Sequence, residues 1–261
     1  MNTVKPVQRL RGRSVFLSAR VPDPARDGRF SRISDASFQI EQAVISLARA
    51  VFSEGGRLVF GGHPSISPLV AIVAGEYRVP NVTEGGAERP PPQVAIYQSK
   101  AFREAIPHDT DLLIRLGLAE EHWIDALNGE RFIIGKGPAN YQCPESLREM
   151  RARMIEEADP IAMVCIGGME GVLAEAEMFL AEKRRRPVFV LARTGGAASM
   201  MAEQKGPSIP IDVEIMRDLV PTDDKAGEDR LGGIEVHPYP LIMQTLIDRI
   251  ATTPRQESEL G

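Results

Sequence analysis

Short apolar runs that close on glycine and lead straight into a helix constrain this chain more than any other feature. Arg57-Leu58-Val59-Phe60 closes on Gly61-Gly62-His63, and residues 161–166 (IAMVCI) close on Gly167-Gly168-Met169-Glu170-Gly171. Residues 187–192 (PVFVLA) close, through Arg193, on Thr194-Gly195-Gly196. Runs this short and this continuously apolar read as strands covered on both faces. Ser14-Val15-Phe16-Leu17-Ser18 and Val94-Ala95-Ile96-Tyr97 supply two more.

Helical patterns fill the intervals. One starts at Ser34 or Asp35, both good N-caps, with Ile40, Val44, Leu47 and Val51 at helical spacing until Gly55-Gly56 stops it. Ser67 followed by Pro68 reads as an N-cap with proline at the first helical position, opening a helix over 68–77. Further helices are predicted over 145–158, 170–186, from near Ala197, and over 238–251. Strands alternating with helices predict an α/β fold of the Rossmann-like, doubly wound kind, a mostly parallel sheet with helices on both faces. Low aromatic content, 5%, fits the aliphatic core of such a sheet. Residues 13–251 read as a single domain, with 1–12 and 252–261 as flexible termini. Residues 81–92 are too rich in Gly and Pro to be anything but loop, 100–142 read as irregular with one helix near 117–128, and 205–233 as irregular and charged.

Several function classes fall away. A net charge of −5 disfavours sequence-independent nucleic-acid binding, which shows as a basic excess. Lys183-Arg184-Arg185-Arg186 ends a predicted helix, where cations complement the dipole. Two cysteines, Cys143 and Cys165, are too few for a disulfide framework, and His63, His108, His122 and His237 have no metal-ligand spacing. No run has the length of a membrane span and the N-terminus lacks a signal peptide's apolar core, so a cytoplasmic protein without membrane contact is expected. G-x-G-x-x-G after a strand, G-x-x-x-x-G-K-[ST] and G-x-S-x-G are all missing, which argues against a standard dinucleotide dehydrogenase, a P-loop NTPase and a serine-nucleophile elbow.

Ligands on open parallel sheets sit at the carboxyl ends of the strands, where the strand order switches. Three glycine-bearing turns there favour an anionic ligand, because glycine admits close approach and helix N-termini attract phosphate. Two charges stand on core-facing stripes: Arg151, four residues from both Leu147 and Ile155, and Glu175, three after Val172 and four before Phe179. They form either a structural ion pair or part of a polar crevice. Tyr97, Trp123 and Tyr141 could stack on a base, although core or loop packing is the ordinary role of such residues.

The run SLREMRARMIEEADPIAMVCIGGMEGVLAEAEMF, residues 146–179, resembles the signature region of the SLOG superfamily, which includes the LONELY GUY cytokinin-activating enzymes and DNA-processing protein A. The resemblance covers roughly residues 13–200. The enzyme branch carries P-G-G-x-G-T-x-x-E after a helix with M-x-x-R-K-x-x-M. Here Gly167 and Gly168 match the paired glycines and Glu175 the glutamate, while Gly171 matches the later glycine only with one residue inserted. Ile166 replaces the proline, Val172 the threonine, and Met150 stands at the arginine position with Arg151 one residue later.

That pattern is closer to SLOG branches of bacterial conflict systems, which resemble sensors of NAD- or ADP-ribose-related signals. The resemblance therefore implies a nucleotide-type small molecule as ligand, a sensor role in antiviral defence or signalling, a separately encoded effector as partner, a homodimer, and no cofactor. The ligand contacts it points to are Arg20, Gly61, Gly62, His63, Gly167, Gly168, Glu170, Gly171, Arg193, Thr194, Gly195 and Gly196, the amides of Gly61, Gly62, Gly168 and Gly195 holding phosphate. Glu175 would accept from ribose hydroxyls. The alternatives are a LONELY GUY-like phosphoribohydrolase that cleaves the N-glycosidic bond of a nucleoside monophosphate, with Glu175 and Arg151 catalytic, and a structural subunit without ligand.

Overall fold

The computed structural model describes residues 8–23, 25–30, 35–77, 92–184, 186–204, 230–231, 234–235 and 237–252. The chain is a Rossmann-like α/β protein. Its main sheet has six parallel strands, β1 (Ser14–Arg20), β2 (Arg57–Phe60), β3 (Val94–Ser99), β4 (Ala119–Ile124), β5 (Ala162–Gly167) and β6 (Val188–Leu191), in the order β4-β3-β2-β1-β5-β6. Sequence order runs outward from β1 to β4, then jumps back to place β5 against the other side of β1. The switch of strand order therefore falls between β1 and β5, whose pairing runs from Val15↔Ala162 to Arg20↔Gly167.

Helices cover both faces, which is why β3 and β5 are buried at every position. On one face lie α1 (Ala36–Ser53), α2 (Ser67–Glu76), α3 (His108–Arg115) and the last helix, α8 (Tyr239–Thr252), around Val44, Leu47, Leu58, Ile96, Val164 and Leu246. On the other lie α5 (Pro144–Ala158), α6 (Glu170–Ala181) and α7 (Gly196–Glu203), around Phe16, Met154, Cys165, Phe179 and Val190, while α4 (Ala139–Gln142) is a single turn ahead of α5. Cys143 and Cys165 are free and buried. Among the described residues no helix is long and apolar enough to cross a membrane.

The helix expected near 117–128 is instead the edge strand β4. Ala-Glu-Glu has helical propensity, but pairing with β3 overrides it, and an edge strand accommodates the charges. Glu120 pairs with Arg57, and the His122 ring stacks on Tyr97 with centroids 4.3 Å apart. Ser67 is the first residue of α2 rather than its cap, and α6 ends at Ala181, short of 186. Beyond it Arg184 and Arg186 pair with Asp159, and Arg186 lies over the Phe179 ring at 4.6 Å. Arg230–Leu231, in the stretch expected to be irregular, pairs with Ile234–Glu235 just beyond it as a small antiparallel ladder, β7 and β8. The rest of 205–233, nearly all of the 81–92 loop and the outermost termini lie outside the described residues.

One contact holds α7 onto the switch point. Gly196 has φ +59°, and an added Cβ would press into the carbonyl oxygen of Gly168, which already accepts the Ala197 N–H at 3.0 Å. Gly196→Ala should therefore lower stability by about 2–4 kcal/mol, from the left-handed backbone and the clash together. Chemical denaturation checks this, and a variant as stable as the parent would refute the close-approach account.

Candidate functional site

The register of β1 against β5 ends at Arg20↔Gly167, so the last residue of β1 lies directly beside the Gly167-Gly168 turn that ends β5. The Gly168 N–H donates to the Arg20 carbonyl at 2.7 Å, continuing the ladder one residue past the strand end. The Val21 N–H donates to Ser65 Oγ at 3.3 Å, tying the end of β1 to the turn after β2. The Asp23 N–H reaches Met169 Sδ at 3.4 Å, tying the following loop to the cap of α6. Three turns thus meet at one end of the sheet.

Two arginines and two carboxylates, Arg20 and Arg26 with Glu170 and Asp23, meet at this crevice. Arg20 is half-buried, and its Nε is closed off from solvent with no acceptor. Burial first, and the charge of Arg26 second, disfavour the ionised Arg20 guanidinium, which Glu170 and Asp23 offset in part. Arg26 is anchored, one Nη2 donating to Asn140 Oδ1 at 3.1 Å and to Glu170 Oε2 at 3.2 Å. Glu170 opens α6, whose first amides have no intrahelical acceptor. Burial, then Arg20 and Arg26, push the His63 imidazole down to about 4. Its Nδ1 accepts from the Ser65 N–H at 3.2 Å and lies 2.9 Å from Ser65 Oγ, so the neutral ring carries its proton on Nε2.

Below the crevice, Arg151 and Glu175 form the ion pair that their stripe positions allow, Nε to Oε1 at 3.2 Å. Ser18 on β1 donates to the second carboxylate oxygen, Oε2, at 2.5 Å. Each oxygen of Glu175 therefore already accepts one donor from within the protein. Gly171 leaves room for the Arg151 guanidinium, since an added Cβ would stand 3.2 Å from Nη2.

The expected phosphate cradle is only partly free. The Gly168 and Gly195 amides, expected to hold phosphate, donate instead to the carbonyls of Arg20 and Ala192. Gly167 donates to Thr194 Oγ1 at 2.7 Å, which in turn donates to the Leu191 carbonyl. These residues, with Gly196, brace the crevice rather than line it with open donors. Gly61 and Gly62 end β2, their carbonyls held by Gln98 and Thr110 respectively. Arg193 lies in the single turn at Ala192–Thr194. Charge thus comes from side chains, Arg20 and Arg26, more than from glycine amides.

Sequence reading missed Arg26, Ser18, Ser65 and Asn140. The one available signal was the density of Arg, Asp and Pro in residues 21–30, a polar loop immediately after a buried strand. Among the described residues no group of three or more His, Cys, Asp or Glu side chains gathers to hold a metal ion.

A family model described as the SLOG cluster3 family matches residues 29–129 and 136–220. No curated protein matches. Among solved structures, the crystal structure of TM1055, a structural-genomics target, aligns at 15% identity over 75% of this chain and 84% of that one, with a TM-score of 0.45.

The depressed His63 gives a test of the site's electrostatics. Unfolded histidine takes up its proton near pH 6.5, the folded one only near 4. The unfolded state therefore binds more protons between those values, and the protein should lose stability as pH falls from 6.5 to 4. The loss should be on the order of 2 kcal/mol at pH 4.5. Denaturation of wild type and His63→Gln across that range checks it; equal pH slopes would refute the assignment.

Proposed function

The chain belongs to the SLOG cluster3 family, and from that membership and the charged crevice between β1 and β5 we propose that it binds a phosphate-bearing, nucleotide-derived ligand there. The observation that carries this reading is Arg20, a half-buried guanidinium at the strand-order switch whose Nε has no acceptor. A half-buried guanidinium with an orphaned donor is costly, and an anionic ligand would supply the missing acceptor. Arg26, fixed by Asn140 and Glu170, adds a second positive group that needs no rearrangement. The Nε2–H of His63 offers a neutral donor at the mouth of the β2 turn.

The proposed role is that of a sensor of an NAD- or ADP-ribose-related signal, acting in a defence or signalling system through a separate effector, with a homodimer as the assembly. Ligand retention rather than cleavage is supported by Glu175, whose two oxygens are taken by Arg151 and Ser18. The phosphoribohydrolase reading keeps one observation in its favour. Arg151, although one residue away from the enzyme branch's arginine, still reaches the glutamate.

The test is a thermal-shift screen against nucleoside monophosphates, NAD, ADP-ribose and cyclic ADP-ribose, with product analysis of each hit. A ligand at a hundredfold its Kd should add about 2.7 kcal/mol. Arg20→Met should hold or raise the melting temperature of the free protein, because it removes a desolvated charge, and should abolish the ligand-induced shift. Bound ligand recovered intact supports the sensor; released free base moves the assignment to the hydrolase. No shift with any nucleotide overturns the ligand reading.

A further inference from the structure

The three aromatic side chains that could meet a base have different fates. Tyr97 is 1% exposed and lies under His122, and Trp123 is on the edge strand. Tyr141 is 77% exposed, so neither core nor loop packing accounts for it. It adjoins Asn140, the residue whose side chain grips Arg26 at the crevice. Ile133 and Ile134, at 42% and 74% exposure, stand on the same loop.

That loop is held rigidly although its apolar groups face solvent. Gln142 accepts from the Ile133 N–H at 3.0 Å and donates to the carbonyls of Ile133 at 3.2 Å and Gly137 at 2.8 Å. The Phe132 N–H donates to the Ala101 carbonyl at 2.9 Å, and the Phe132 and Phe102 rings lie 5.1 Å apart. Glu130 accepts from the N–H groups of Glu145 and Ser146, fixing the loop to the start of α5. The Tyr141 N–H itself donates to the Pro138 carbonyl at 3.1 Å.

We propose that Tyr141, with the Ile133–Ile134 shelf beside it, stacks on the aromatic base of the nucleotide whose phosphates meet Arg20 and Arg26. This rests on the ligand reading above and deepens it: the crevice recognises a base-bearing ligand, not a bare sugar phosphate. An exposed aromatic ring on a hydrogen-bonded backbone offers stacking to any base. The Asn140–Arg26 and Arg26–Glu170 contacts hold the backbone that carries Tyr141 beside the charged end.

Calorimetric titration of the full chain with AMP and ADP-ribose as base-bearing probes, and ribose 5-phosphate and inorganic pyrophosphate as base-free probes, tests it. Tyr141→Ala should weaken the base-bearing probes about tenfold while leaving the base-free ones unchanged, and Tyr141→Phe should keep wild-type affinity. Circular dichroism and melting temperature establish that each variant is folded. Unchanged affinity for base-bearing probes in Tyr141→Ala, or an equal loss for both probe classes, overturns the proposal while leaving the ligand reading standing. A changed sedimentation coefficient with unchanged affinity assigns the shelf to a protein partner instead. Failure of every probe to bind the wild type overturns both readings together.

Discussion

The pairing of β1 with β5 is the constraint on which the rest depends. Three strands, β2, β3 and β4, run outward on one side of β1, and β5 returns to its other side, so the helices that follow β1 and β5 lead away in opposite directions. A crevice opens where they part. The Gly168-to-Arg20 hydrogen bond seals its floor, and the Gly168 carbonyl then receives the start of α7. A single residue thereby ties β1, β5 and α7 to one another. Gly168, at φ +92°, is where the chain needs a residue without a side chain.

That geometry decides the electrostatics. The Gly167 and Gly168 amides turn inward to Thr194 and Arg20, so these two donors serve the scaffold rather than the crevice. Side chains supply the charge there. Arg26 is balanced by Glu170, and His63 stays neutral under the combined influence of burial and the two arginines. Arg20 bears the cost of its own burial, offset in part by Glu170 and Asp23.

Legibility in the sequence followed burial. Strands covered on both faces wrote themselves as continuous apolar runs, so β5 and β6 were readable to within a residue. The Arg151–Glu175 pair was readable as a geometric option because helical spacing put both charges on inward stripes, though spacing alone could not say whether they met each other or a ligand. β4 was misread because an edge strand obeys only one neighbour and its Glu120 and Glu121 carry helical propensity. Arg26 and Asn140 come together over 114 residues of chain through two loops without periodicity, and no local pattern encodes such a contact. The glycine turns were located correctly, but the use of their amides depends on where neighbouring carbonyls fall, which only the assembled fold decides.

Glu175 shows how the same constellation supports opposite chemistries. A carboxylate that assists cleavage of a glycosidic bond must offer at least one oxygen to the sugar or to water. Here one oxygen faces Arg151 and the other Ser18, and each contact serves a structural end: the first joins α5 to α6, the second joins α6 to β1. Breaking either would leave a buried partner unpaired, at a cost of about 1–3 kcal/mol. Of the two contacts, a hydroxyl matches the Ser18 donor but not the Arg151 charge, so the side of Glu175 that faces β1, the strand that ends in Arg20, is the one where a neutral donor can be exchanged without stranding a charge.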